Sequence, residues 1–390
     1  MPNYSGKWNL QSQLQGIKAN TWTGIPVFEL YAWGANGSGQ LGLDDTANSS
    51  SPIQIGGRSV PFFETIAAGR SASFGVKSDG TLWSWGVGTN GQTGQGSLTQ
   101  LSSPTQIGAL TNWSTVTATI EQAGSGFAIK TDGTLWAWGN NNLGQLGLGD
   151  AINVSSPVQV GTNTDWASVS CFSNNTIATT TSGEIYSWGN SNAGGTGQNT
   201  TVIDYSSPVQ IGSDTDWGSI STGFRNSASV KTDGTLWTWG NNSPNGPLGI
   251  GTTNDTSSPV QVGALTNWAS VSCGYDHMLA IKTDGTLWAW GEGDEGKLGQ
   301  GSQTDTSSPV QVGALTDWAK VNAGEDFSTA IKTDGTLWAW GLNNTGQLGN
   351  SATGVTNNSP INIGSLTTWE DVSAGRQHTL GLIRARTGMS

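Results

Sequence analysis

The sequence predicts an all-β, seven-bladed β-propeller closed by pairing of its N- and C-terminal strands, with a short N-terminal extension. Three observations carry this. Trp-Gly pairs ending at Gly34, Gly86, Gly139, Gly189, Gly240, Gly291 and Gly341 recur about every 50 residues, a spacing typical of solenoids and propellers. Asp-Gly pairs at Asp79-Gly80, Asp132-Gly133, Asp233-Gly234, Asp284-Gly285 and Asp334-Gly335 separate alternating apolar runs, which reads as a two-residue type I′ hairpin in each unit, with Ser182-Gly183 the weakest copy. The unit is also cut in complementary ways at the two chain ends. Residues 28–34 supply an outer strand without a preceding partner, and residues 377–383 supply an inner strand with nothing after it.

Pairing those two strands closes the ring and removes the edges that invite aggregation. The residues expected to form the clasp are Leu30, Tyr31 and Trp33 on one side and Thr379, Leu380 and Leu382 on the other. An internal repeat overrides the domain count that 390 residues otherwise imply. The expected division is an extension over residues 1–26, the propeller over 27–384 and a tail over 385–390.

Within the extension, Leu10, Leu14 and Ile17 fall at i, i+4 and i+7, a short amphipathic helix with Trp8 and Trp22 outside it. Within each unit, Pro52, Pro104, Pro157, Pro208, Pro259, Pro309 and Pro360 open extended runs, where a residue without an N–H does least harm to a ladder. Trp pairs such as Trp83/Trp85 and Trp288/Trp290 stand two apart, so both rings of a pair leave one sheet face and suit packing between blades. A second series, Trp113, Trp166, Trp217, Trp268, Trp318 and Trp369, precedes the inner strands. Repetition in every unit favours packing over sugar stacking.

Composition narrows the function. Lys and Arg total 15 against 27 Asp and Glu, a net charge of −12, which works against nucleic acid and anionic membranes as partners. With 58 Gly and 11 % charged residues, the chain suits short strands and tight turns. No run approaches the ~20 apolar residues of a membrane span, and residues 1–20 are too polar for a secretory signal, so neither membrane insertion nor a signal peptide is expected.

Candidate chemistry is thin. His277 and His378 are the two histidines, at equivalent positions of different units, and a structural role outweighs ligation or catalysis because neither has a positioned partner in the sequence. Cys171 and Cys273 recur in Val-Ser-Cys strands of non-neighbouring units, too far apart to bridge, and are expected as buried thiols. No zinc spacing and no calcium loop is present, so no cofactor, no metal and no enzymatic activity is expected. Acidic residues at Glu292, Asp294, Glu295, Asp150, Asp255 and Asp305 read as solvated loop charges. The variable loops over 190–205 and 241–256 are the expected recognition surface.

These units resemble the regulator of chromosome condensation repeat family, with its Gly-x-x-His, Asp-Gly, aromatic-x-Trp-Gly and Gly-Gln-Leu-Gly succession. Gln40-Leu41-Gly42, Gln145-Leu146-Gly147 and Gln347-Leu348-Gly349 match the last element; Thr93, Thr196 and Pro247-Leu248-Gly249 depart from it. The resemblance covers about residues 27–384 and implies a seven-bladed propeller, in a family that includes exchange factors, a plant light receptor, enzyme inhibitors and phage structural proteins. Gly375-Arg376-Gln377-His378-Thr379 lacks the Trp of the light receptor's motif, and no inserted wedge of the exchange-factor kind is apparent.

The Tyr-Ser-Gly-x-Trp segment from Tyr4 to Trp8 and the Gln-Leu-Gln stretch after it resemble the N-termini of tailed-phage structural and tail-fibre-like proteins. That resemblance implies a non-enzymatic virion component, located in the virion. Tyr4, Trp8, Leu10, Leu14, Ile17 and Trp22 would attach it to other virion proteins, and its loops would meet a host surface protein or glycan. The alternative is a protein-binding regulator of the exchange-factor type, or an enzyme-inhibiting or carbohydrate-binding propeller.

Overall fold

The computed structural model describes residues 27–56, 61–121 and 124–385, which build seven four-stranded antiparallel sheets around one axis. Blade 1 joins β1 (Phe28–Gly34) and β2 (Ser49–Gln54) to β27 (Trp369–Ala374) and β28 (His378–Arg384). Blade 2 is β3 (Phe63–Ala68), β4 (Ala72–Lys77), β5 (Leu82–Gly86) and β6 (Leu101–Gln106). Blade 3 is β7 (Trp113–Ala118), β8 (Ser125–Lys130), β9 (Leu135–Gly139) and β10 (Val154–Gln159). Blade 4 is β11 (Trp166–Cys171), β12 (Asn175–Thr180), β13 (Ile185–Gly189) and β14 (Tyr205–Gln210). Blade 5 is β15 (Trp217–Thr222), β16 (Asn226–Lys231), β17 (Leu236–Gly240) and β18 (Thr256–Gln261). Blade 6 is β19 (Trp268–Cys273), β20 (His277–Lys282), β21 (Leu287–Gly291) and β22 (Thr306–Gln311). Blade 7 is β23 (Trp318–Ala323), β24 (Phe327–Lys332), β25 (Leu337–Gly341) and β26 (Asn357–Asn362).

The ring closes as the cut repeat implied. β1 pairs with β28 from Phe28↔Arg384 to Gly34↔His378, which sets Leu30 opposite Leu382, Tyr31 opposite Gly381 and Trp33 opposite Thr379. Leu30, Leu380 and Leu382 pack into one buried cluster with Trp85 of blade 2, while Trp33 joins the core shared with blade 7. One refinement applies to the strand order. β27 is the innermost strand of blade 1 and β28 the second, because the first strand of each sheet packs against its counterpart in the next blade.

Neighbouring blades are fastened by the Trp-Gly tag. Trp33, Trp85, Trp138, Trp188, Trp239, Trp290 and Trp340 are fully buried. The Trp85 Nε1–H donates to the Gln40 carbonyl of blade 1 at 2.8 Å, and Trp33, Trp138, Trp188, Trp290 and Trp340 repeat the bond to Gln347, Gln92, Gln145, Pro247 and Lys297. Gly42 must be glycine here. It has φ +70°, and a Cβ would sit 3.0 Å from the Trp85 ring. Each such ring buries roughly 150–250 Å², which at about 25 cal/mol per Å² contributes roughly 4–6 kcal/mol before conformational entropy is subtracted.

Around the axis, side chains of one inner strand accept N–H bonds from the next. Ser170 Oγ takes the Thr222 N–H at 3.0 Å, Ser221 takes Cys273 at 2.9 Å, Ser272 takes Ala323 at 2.9 Å and Ser373 takes Ala68 at 2.9 Å. Asn322 does the same for Ala374 at 2.6 Å.

The hairpins differ from the type I′ expectation. Gly80 takes φ +75° while Asp79 does not enter the left-handed region, and the Gly80 N–H donates to Lys77 O at 2.8 Å. This is a three-residue loop whose glycine forms the bulge. Asp79 is held there because its Oδ1 accepts the Thr81 N–H at 3.1 Å and hydroxyl at 2.6 Å. A Cβ on Gly80 would lie 2.1 Å from Thr111 O. The prolines stand on the outermost strands, such as Pro52 on β2 and Pro259 on β18. The expected helix over Leu10–Ile17 lies outside the described residues, as do Tyr4, Trp8 and Trp22.

Candidate recognition face

One end of the ring carries the loops between first and second strands, close to the axis, and the long loops between third and fourth strands. The opposite end carries the Asp-Gly hairpins. On the first, the loop face, the inner loops are linked blade to blade by backbone bonds. Phe224 N–H meets Tyr275 O at 3.2 Å, Tyr275 meets Glu325 O at 3.4 Å, Glu325 meets Gly375 O at 3.4 Å and Arg376 meets Gly69 O at 3.2 Å. Blade 3 is bonded on both sides in the same way, Arg70 N–H to Thr119 O at 3.0 Å and Ile120 N–H to Phe172 O at 2.8 Å, but its loop is longer. Six residues separate Ala118 from Ser125, where three separate Ala68 from Ala72, and the extra length carries Glu121 to the axis.

There the Arg376 Nε–H donates to both carboxylate oxygens of Glu325 at 3.0 Å and lies 3.1 Å from Glu121 Oε1. One guanidinium from blade 1 thus holds carboxylates from blades 7 and 3. Beside them Phe224 and Tyr275 stack at 4.2 Å and 10°, Phe172 meets Tyr275 edge-on at 6.4 Å, and the Arg225 guanidinium lies 4.7 Å from the Phe224 centroid. Burial, then the neighbouring Glu121, pushes the Glu325 carboxyl up to about 7 against the pull of Arg376. Burial and Glu292 push Asp276 up to about 6.

These two acids give the protein a signed pH response. Each folded-state pKa lies above the ordinary carboxylate value, so the folded chain keeps a proton that the unfolded chain has released. Their contribution is complete below about pH 4 and is lost as pH rises through about 6 to 7. Thermal melts should show Tm falling between pH 5 and pH 8, with a shallower fall in Glu325→Gln; an equal slope in the variant overturns the assignment.

Blade 6 adds a buried cation. Lys297 stands where Gln40, Gln92, Gln145 and Gln347 stand in other units, is 1 % exposed, and pairs with Asp326 at 2.8 Å and with Glu292. Burial pulls its ammonium down, but Asp326 and Glu292 more than offset this and hold its pKa above the usual lysine value. The acidic loop residues are therefore not simply solvated. Glu292 belongs to this pair, and Asp150, Asp255 and Asp305 accept bonds from Asn141 Nδ2, the Asn242 N–H and the Gly293 N–H at 3.0, 2.7 and 2.9 Å, fastening their loops.

The histidines do not meet. His378 Nε2 bonds Ser73 Oγ of blade 2 at 2.8 Å, and His277 Nε2 bonds Ser328 Oγ of blade 7 at 3.1 Å. Burial holds the His378 ring down at about 3 and that of His277 well below its ordinary value, so both stay neutral. Asn175 repeats the bond to Ser227 at 3.1 Å. Asn226 cannot, because Met278 occupies the serine's place, and its buried amide is left without a partner. Both cysteines are free and buried, and burial raises their thiols, Cys273 to about 12. Among the described residues no group of His, Cys, Asp and Glu is placed to hold a metal.

The outer Trp of each pair is half-buried with its face already covered. Lys77, Lys130, Lys282 and Lys332 lie 3.7, 3.6, 3.5 and 4.3 Å over Trp83, Trp136, Trp288 and Trp338. Their Nε1–H groups donate to Thr81, Thr134, Thr286 and Thr336 at 2.7–2.9 Å. Where the ring is Tyr186 or Tyr31, the threonine is replaced by Glu184 or Glu29, which accepts the phenol at 3.4 Å. A lysine thus covers one face of each of these four rings.

Residues 123–381 match the RCC1-like domain, and residues 29–76 and 79–120 match the regulator of chromosome condensation (RCC1) repeat. The chain belongs to the RCC1 repeat family. It is 30 % identical to the ultraviolet-B receptor UVR8 of Arabidopsis thaliana over 274 residues, which covers 68 % of this chain and 61 % of the receptor. It is 28 % identical to the human E3 ubiquitin-protein ligase HERC2 over 65 % of this chain and 5 % of the ligase. The chain therefore spans less than two thirds of either relative. The crystal structure of Prp20p from Saccharomyces cerevisiae superposes with a TM-score of 0.80 at 19 % identity, covering 93 % of each chain, which supports the propeller fold.

This RCC1-family membership corrects the expected biology. A virion component and a virion location are overturned, because the matching relatives are cellular proteins of a plant and a human. The segment from Tyr4 to Trp22 that carried the phage resemblance lies outside the described residues. Sequence reading also missed Glu121, Phe172, Phe224, Tyr275, Glu325 and Arg376 as one cluster. Their signal was present: after each inner-strand glycine the RCC1 units stop agreeing, with Arg70, Phe224, Tyr275, Glu325 and Arg376 at one repeat position.

Proposed function

We propose that this chain is a protein-binding regulator of the exchange-factor type, whose partner docks on the loop face and which performs no chemistry of its own. The observation that carries this is the axial cluster of Arg376, Glu121, Glu325, Phe224 and Tyr275, where nearly identical repeats become individual. A rigid scaffold that varies at one end places specificity there. Exposed apolar residues on the long loops of the same face support the reading: Val202 is 86 % exposed and Ile152 66 %. Prp20p, a structural relative, has binding properties to Gsp1p and histones.

The test is release of labelled nucleotide from a panel of small GTPases, read alongside pull-down in the nucleotide-free state. Wild-type protein should accelerate release from at least one of them. The double variant Phe224→Ala, Tyr275→Ala should lose about 2 kcal/mol or more of binding, the size of an aromatic hot spot. The reading fails if no GTPase responds and cross-linked partners map to the hairpin face.

A further inference from the structure

Each long loop between a third and a fourth strand is tied to the outer strand of the next blade. The Gly96 N–H donates to Ser155 O, Gly149 to Ser206 O and Asn199 to Ser257 O, all at 2.7 Å. The residues that follow are held on a fixed frame, and the repeat compares them place by place. Six and five residues before the outer-strand proline stand Leu98-Thr99, Ala151-Ile152 and Val202-Ile203 in blades 2, 3 and 4, against Thr253-Asn254 and Gln303-Thr304 in blades 5 and 6. Leu98 is 62 % exposed, Ile152 66 %, Val202 86 % and Ile203 53 %; blade 7 has Val355 at 57 %. A lone exposed apolar side chain is ordinary, but an arc over three successive blades, where the next two are polar, marks a contact surface.

The frame around this arc is acidic. Lys297 is the one cation on the seven long loops, and it is 1 % exposed and already paired. The long loops of blades 1, 3, 4, 5 and 6 each carry at least one acid. Two of these stand beside the arc itself: Asp150 two residues before Ile152, and Asp204 directly after Ile203, both exposed. The arginines of this face, Arg70, Arg225 and Arg376, lie on the short inner loops near the axis. Apolar side chains flanked by carboxyl groups attract a surface that is apolar and basic, and an anionic lipid surface is repelled.

We propose that the arc over blades 2–4 binds a basic amphipathic segment of a partner protein. Its apolar side chains cover Leu98, Ile152, Val202 and Ile203, and its lysines or arginines meet Asp150 and Asp204. The proposal rests on the reading that a protein docks on the loop face, and not on that protein being a GTPase.

Fluorescence anisotropy of a labelled leucine–lysine amphipathic helix peptide, titrated with the full chain, tests it against a leucine–glutamate peptide of the same pattern. The lysine peptide should bind, more weakly as salt rises, and the glutamate peptide should not. Ile152→Asn, Val202→Thr, Ile203→Asn installs the residue types that blade 5 already uses there, so the fold is kept, and should weaken binding about tenfold or more. Leu265→Thr, Leu315→Thr alters leucines that are 48 % and 45 % exposed on the hairpin face, and should leave binding unchanged. Equal binding of both peptides, equal loss in the two variants, or no peptide binding while the chain sediments with phosphatidylcholine vesicles through the same residues overturns the proposal. Peptide binding without nucleotide release from any GTPase keeps this inference and removes the exchange-factor reading; full nucleotide release by the triple variant, with no peptide binding by the wild type, does the reverse.

Discussion

Deleting residues 374–390 is expected to abolish cooperative unfolding rather than lower Tm by a few degrees. The deletion removes β28, whose seven residues pair with the whole of β1 on one side and support β27 on the other. Leu380 and Leu382 leave the cluster they share with Trp85, so the damage reaches blade 2. Two unpaired strand edges then face solvent, and an open array of blades has lost the mutual constraint of a ring. Differential scanning calorimetry with size-exclusion chromatography checks it. A single sharp transition like that of the full chain would show that closure contributes little.

Lys297→Gln should cost about 3–5 kcal/mol, the range for removing one partner of a buried ion pair. The substituted side chain is the one used at Gln40, Gln92, Gln145 and Gln347, so it fits the loop. The loss comes from Glu292 and Asp326, whose carboxyl groups stand next to Asp276 and lose the ammonium that bridges them. The triple variant Lys297→Gln, Glu292→Asn, Asp326→Asn should recover most of the stability. Asn140, Asn190 and Asn241 already occupy the place of Glu292 in other units, and Asn174 that of Asp326. Urea unfolding of the single and triple variants decides the matter, and equal midpoints for both would overturn it.

Much of the architecture was readable because each blade repeats a local solution. The Trp-Gly tag marks a buried ring that bonds the neighbouring loop, and the spacing of about 50 residues counts the blades. The turn type was misread because the two-residue rule for Asp-Gly ignores what the aspartate does. Its bond to Thr81 favours a longer loop with glycine alone in the left-handed region. The loop acids looked solvated because a sequence does not show that Asp255 reaches back to Asn242.

Short-range chemistry therefore determined blade number and the cut unit that closes the ring, since those depend on a pattern repeated within each unit, whereas which strand lies innermost was settled by packing between blades. The axial cluster was decided by the tertiary structure alone. Glu121, Glu325 and Arg376 belong to different blades far apart in the chain, and each is an ordinary loop residue in its own unit. Closing the ring brings their loops to one axis, where burial and proximity turn separate charges into one coupled group.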